Sequence, residues 1–214
     1  MKKILLILFC ALTTLTAAAQ SKIHWNLELG LGASAWMNDK GMDSNGLFNS
    51  KIGVGIDIPL TNFLSFQTGM SWVSKGAVVK NAYNIATTNS DRLVDMDVNQ
   101  NYLQAPLLAA FHIGTGSSFD LILKGGAYFA VGVCGKTKVD IDDATLSWST
   151  FGDSKFNGKP HEGLHRFDAG LVAGADLDFP SWYVGCDAEF GLCKIASGDA
   201  PRNFAFFVNL GYKF

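Results

Sequence analysis

In the stretch Phe204-Ala205-Phe206-Phe207-Val208-Asn209-Leu210-Gly211-Tyr212-Lys213-Phe214, every even position is apolar, while Asn209, Gly211 and Lys213 fall on odd ones. A period of two puts alternate side chains on opposite faces of a β-strand, so this segment has one greasy face and one mixed face. Seven runs upstream repeat the pattern. Trp25, Leu27, Leu29, Leu31, Ala33 and Ala35 oppose Asn26 and Glu28, and Ile52, Val54, Ile56 and Ile58 oppose Lys51 and Asp57. Leu64 to Trp72, Leu103 to Ile113, Phe119 to Val133, Phe167 to Phe179 and Trp182 to Leu192 follow the same rule. None of these runs approaches the 18 or so consecutive apolar residues of a membrane helix, but each matches the roughly 9 to 11 residues with which a tilted strand crosses a bilayer.

The connections set the topology. Segments 59–62, 114–118 and 180–181 are short, whereas 37–49, 76–101, 136–163 and 193–202 are long and mostly polar. Short and long alternate strictly, as in an all-β, eight-stranded antiparallel up-and-down transmembrane β-barrel with short periplasmic turns and longer extracellular loops. Val94, Met96 and Val98 still alternate within the second long loop, which predicts a hairpin projecting beyond the membrane. Glu28, Asp57, Lys124, Arg166, Asp168, Asp176, Asp187 and Glu189 all lie opposite the apolar rows. A Lys or Arg facing lipid at mid-depth costs about 2–4 kcal/mol, so these charges are expected to point inward and pair across a lumen that eight strands leave just wide enough for side chains. Trp25, Phe111, Phe119, Phe179, Trp182, Tyr212 and Phe214 are expected to ring the turn end, and Trp72, Phe129, Phe167, Phe190 and Phe204 the loop end. Alternation alone also fits a soluble lipocalin-like ligand-binding barrel, which would hold the apolar face inside.

Of 214 residues, 48% are hydrophobic, and 17 Lys plus Arg against 19 Asp plus Glu give a formal charge of −2. That balance leaves no electrostatic footprint for nucleic acid and is too apolar for a disordered chain. Lys2 and Lys3, the apolar run Ile4 to Leu12 and Ala17-Ala18-Ala19 read as a signal peptide, so residues 1–19 are expected to be cleaved after Ala19 and 20–214 to form the outer-membrane barrel. Beyond Cys10 the chain has Cys134, Cys186 and Cys193, an odd count that argues against a disulfide framework.

Tyr102-Leu103-Gln104-Ala105-Pro106-Leu107-Leu108, Phe167-Asp168-Ala169-Gly170-Leu171-Val172-Ala173-Gly174 and Asn209-Leu210-Gly211-Tyr212-Lys213-Phe214, with Ser74-Lys75-Gly76-Ala77 and Glu189-Phe190-Gly191-Leu192, give the chain a further character. In these motifs and their order it resembles the small porin-like outer-membrane β-barrel family. The resemblance spans essentially the whole chain after the signal and implies a barrel of the OmpA and OmpX type, in the cell envelope of a Gram-negative bacterium. It implies a location and a fold rather than an activity. Glu189 stands where the resemblance implies a basic residue. Pro106 removes a ladder donor inside a strand and calls for a bulge or local break.

His161-Glu162-Gly163-Leu164-His165 matches H-E-x-x-H, but that zinc chemistry needs a helix, and on a strand residues four apart are about 13 Å distant. Asp140, Asp142 and Asp143 lack the Gly and Glu of a calcium loop, having Thr145 and Phe151 instead. No catalytic set, metal or cofactor is therefore expected. Expected partners are outer-membrane lipids, the outer-membrane assembly machinery reading Phe206, Val208, Leu210, Tyr212 and Phe214, and an extracellular partner meeting loops that carry Trp148, Phe151 and Phe156. The expected role is structural or surface-interacting with a closed, charge-filled lumen. A small pore for ions or solutes and an outer-membrane lipid hydrolase stand as alternatives.

Overall fold

The computed structural model describes residues 23–38, 41–42, 44–87, 90–116, 118–141, 144–152, 154–156, 159–161 and 163–214, and the expected signal peptide lies outside them. The described residues contain no helix. In chain order the strands are β1 (His24–Asn38), β2 (Gly41–Met42), β3 (Leu47–Pro59), β4 (Leu64–Thr87), β5 (Ser90–Gly114), β6 (Asp120–Cys134) and β7 (Lys136–Ile141). They continue with β8 (Ala144–Ser149), β9 (Ser154–Phe156), β10 (Lys159–His161), β11 (Phe167–Asp178), β12 (Trp182–Lys194) and β13 (Arg202–Lys213).

Eight of these are the staves of a barrel. β1, β3, β4, β5, β6, β11, β12 and β13 each pair antiparallel with the next, and β13 returns to β1 from Asn26↔Lys213 to Met37↔Arg202. Closure leaves no stave with an unpaired edge, which is what hydrocarbon demands of a backbone with no water to bond. The apolar rows face outward: Leu29, Leu31, Ile52, Val54, Met70, Leu171, Val208 and Leu210 are all exposed in the isolated chain. Buried charges occupy the inner face. This is the reverse of a soluble ligand-binding barrel, so that alternative is overturned by the direction of the pleat.

At the loop end the expected projecting hairpin forms, while the expectation of polar loops fails on the inward side. β4 and β5 run on past the barrel as one long hairpin, paired from Ala77↔Val98 to Thr87↔Ser90 with a register shift between Val79 and Tyr83. Segment 136–163 is likewise largely strand: β7 lays Val139 against Met96 and Thr137 against Val98, β8 pairs with β7, and β9 pairs with β10. The inward phase of the staves continues into these extensions, and there it turns apolar. Trp36, Ala77, Val98 and Ile195 form one buried cluster, with Met96 and Leu164 packed on it. A second joins Tyr102, Leu108, Tyr128, Ala130, Phe151 and Val172. Phe151, expected on the extracellular surface, is instead buried, with its ring centroid 5.5 Å from that of Tyr102 and its edge in a notch at Gly132 that any Cβ would fill. An apolar lid therefore covers the charged lumen at this end.

At Pro106 the β4–β5 ladder skips. Pairs Thr68↔Leu107 and Ser71↔Gln104 flank an interval without paired residues, and the Thr68 hydroxyl donates to the Pro106 carbonyl at 2.7 Å. The hydroxyl gives the Pro106 carbonyl the donor that the interrupted ladder withholds.

Candidate functional site in the lumen

The inward side chains of the staves meet in two ionic clusters. Toward the turn end, Lys51 of β3 reaches Glu28 of β1 at 2.8 Å and Asp187 of β12 at 3.1 Å. Lys124 of β6 reaches Asp176 of β11 and Asp187, each at 2.9 Å. Asn209 of β13 donates to Asp187 at 2.7 Å, and the Tyr183 hydroxyl donates to Glu28 at 2.9 Å. The Tyr183 ring lies where a side chain on Gly211 would be, so the glycine of β13 makes room for the phenol that reaches Glu28. Six staves, β1, β3, β6, β11, β12 and β13, are thus tied across the lumen through Asp187 and its neighbours.

Nearer the loop end, Lys75 of β4 lies 2.9 Å from Glu189 and 3.6 Å from Asp168, with its ammonium 3.9 Å from the Tyr128 ring centroid. The Tyr128 hydroxyl donates to Asp168 at 3.0 Å, Asn203 donates to it at 3.2 Å, and Gln104 donates to Glu189 at 2.8 Å. Lys75, Glu189 and Asp168 are fully or almost fully buried. Charges so enclosed are tolerable only when paired and hydrogen-bonded, which is the arrangement found.

Of the charges expected inside, Glu28, Lys124, Asp168, Asp176, Asp187 and Glu189 lie in these clusters. Asp57 sits lower, accepting from Gln67 at 2.8 Å and 4.0 Å from His112. Arg166 is a correction. It is exposed at the loop-end rim, donates to the carbonyls of Gly132 at 2.8 Å and Val133 at 3.3 Å, and lies 5.5 Å from the Phe151 ring. It immediately precedes β11, so the alternation that carries Asp168 inward has not yet begun at Arg166. Asp168 and Glu189 are met instead by Lys75, which sequence reasoning left out because it lay at the edge of a presumed loop. Lys75 is in phase with Ser71 and Val73, so a longer alternating run finds it, whereas Lys51 already stands opposite the apolar row beside Asp57 and belongs with the inward charges. Glu189, standing where a basic residue was implied, is matched by a lysine from the opposite side of the lumen.

Below the clusters, a cavity of about 430 Å³ runs to the turn end, lined by Glu28, Lys51, Asp187 and Glu189 at its top and by Asp57, Thr61 and Asn62 at its mouth. Ser65 Oγ lies 2.8 Å from His112 Nε2 in its wall, but the Asp57 carboxylate approaches that same ring nitrogen. A catalytic triad needs the acid on the other nitrogen, so the set lacks that geometry. Nor does H-E-x-x-H form a zinc site on a helix: His161 is in β10, Glu162 lies outside the described residues, and His165 is exposed with Nδ1 3.3 Å from the Lys194 carbonyl. Asp142 and Asp143 also lie outside the described residues. Cys134, Cys186 and Cys193 are free thiols.

The family model of the outer membrane protein β-barrel domain matches residues 18–197. Among solved structures, the attachment invasion locus protein Ail of Yersinia pestis, crystallised with a heparin analogue, is similar at 16% identity over 91% of this chain and 100% of that one, with a TM-score of 0.47. OprG from Pseudomonas aeruginosa is similar at 11% identity over 90% and 95%, with a TM-score of 0.45, and Neisserial surface protein A at 12% over 91% and 98%, with 0.44. No curated protein sequence matches the chain. With most of its length matched by that model and its staves closed into an antiparallel ring, the chain belongs to the outer membrane protein β-barrel domain family.

Proposed function

We propose that this outer-membrane barrel serves a structural or surface-interaction role with a closed lumen, and is neither an enzyme nor a general diffusion pore. One observation carries the reading: two ionic clusters and an apolar lid fill the lumen above the turn-end cavity. An aqueous channel belongs to barrels of about 16 to 18 strands, whereas eight leave an interior that side chains fill. Planar-bilayer recording of the purified protein tests it. No stable conductance of the nanosiemens class is expected, and its appearance would favour the small-pore reading, for which the polar turn-end cavity is the supporting feature.

The partners follow from the same architecture. The outward apolar rows suit outer-membrane lipid, and the extensions of β4, β5, β7 and β8 stand where an extracellular partner would meet the protein. Phe206, Val208, Leu210, Tyr212 and Phe214 lie on the outward face of the strand that closes the ring, and they suit recognition by the assembly machinery. Export is proposed to proceed by cleavage after Ala19, for which the N-terminal mass of the protein recovered from membranes is the check.

A further inference from the structure

The charges of the lumen do not balance. Glu28, Asp168, Asp176, Asp187 and Glu189 face the three ammoniums of Lys51, Lys75 and Lys124, and each ammonium already bridges two carboxylates. A low-dielectric wall surrounds them, where surplus charge is costly even after relaxation. The cavity below continues the excess: Lys213 in its wall is already taken by Asp178 at 2.6 Å, and Asp57 near its mouth adds a further carboxylate. Gln104, which also lines it, is only 2% exposed and has its Nε2 committed to Glu189, while its Oε1 is buried with no hydrogen-bond partner. Asp57 Oδ1 is likewise buried and unpartnered. Water can satisfy such acceptors, but it brings no charge. What both features lack is a donor that is also a cation.

We propose that the turn-end cavity binds a small linear polyamine, a molecule with ammonium groups at both ends, admitted from the periplasmic side. The lumen already holds three alkylammonium groups between carboxylates, so its chemistry suits a fourth and a fifth. The size agrees: about 430 Å³ lies within the usual range for ligand pockets. Glu28 is level with Gly53 on β3, four residues from Asp57, which separates the upper and lower carboxylates by about 13 Å along the strand. A bare metal ion suits the site poorly, since no group of three His, Cys, Asp or Glu side chains among the described residues is arranged to hold one.

Calorimetric titration of spermidine into the full barrel in nanodiscs, at an ionic strength of about 0.15 M, tests the proposal. Saturable one-to-one binding is expected, weakened about tenfold or more by Asp57→Asn and by Gln104→Leu, and unaltered by Asp199→Asn at the exposed loop end. Heat-modifiable migration of each variant verifies that its barrel has formed, and Asp57→Asn at the half-buried mouth keeps the test decisive if the Gln104 variant misfolds. Absence of saturable heat would show a cavity filled by water alone and overturn the proposal. Equal displacement by magnesium at matched charge, or unchanged binding in Asp57→Asn, would show diffuse screening and overturn it as well. The proposal does not rest on a closed lumen, so a conducting barrel that still bound spermidine would remove the closed-lumen reading alone.

Discussion

Lys75 holds its ammonium between Glu189 and Asp168 and beneath the Tyr128 ring, with essentially no solvent contact. Removing one member of a buried ionic cluster leaves its partners charged in a low dielectric, at a cost of about 3–5 kcal/mol. Lys75→Met is therefore expected to lower stability by about that amount, measured as the midpoint of unfolding in urea from micelles. Lys75→Met combined with Glu189→Gln should recover part of the loss, since it removes one stranded carboxylate together with the ammonium. Equal stability of the Lys75→Met protein and its parent would show that this cluster is not a structural tie.

Strand β13 is the element that turns a curled sheet into a barrel, because it is hydrogen-bonded to β12 on one side and to β1 on the other. Its last residue, Phe214, is 74% exposed and donates its backbone N–H to the Trp25 carbonyl at 2.9 Å. Deleting Phe214 removes that bond and the ring packed 5.1 Å from Tyr212. Reduced membrane insertion is expected, seen as less heat-modifiable protein in the outer-membrane fraction, and normal assembly of the deletion would refute the role given to this strand. The hairpin of β7 and β8 has a different job. It hydrogen-bonds to β5 above the barrel and leads the chain to Phe151, so this extension helps to roof the lumen as well as to reach outward.

The barrel presents its apolar rows to lipid and ties itself together inside by charge. Leu29 sits midway along β1 on the outer face, with about half of its surface exposed. Leu29→Arg is expected to destabilise the inserted protein by about 2–4 kcal/mol in bilayers, because a guanidinium at mid-depth loses its hydration. On a soluble barrel, the same change at an exposed site would be nearly neutral. A Leu29→Arg protein with unaltered folding equilibrium in lipid would therefore argue against the membrane placement of this face.

The eight staves and the faces they present were readable from residues such as those of Phe204 to Phe214, because a period of two survives in any strand whose two sides meet different media. The inward placement of Glu28, Asp176 and Asp187 was readable for the same reason. The pairing was not. Which ammonium meets Asp168 depends on stagger between strands distant in the chain, and Lys75 of β4 arrives there while Arg166, two residues from Asp168, stays on the rim. The lid was hidden too. Phe151 lies in a stretch with no sustained alternation, and its burial follows from the notch at Gly132 and the edge of Tyr102, a fit that exists only once the ring of strands has closed.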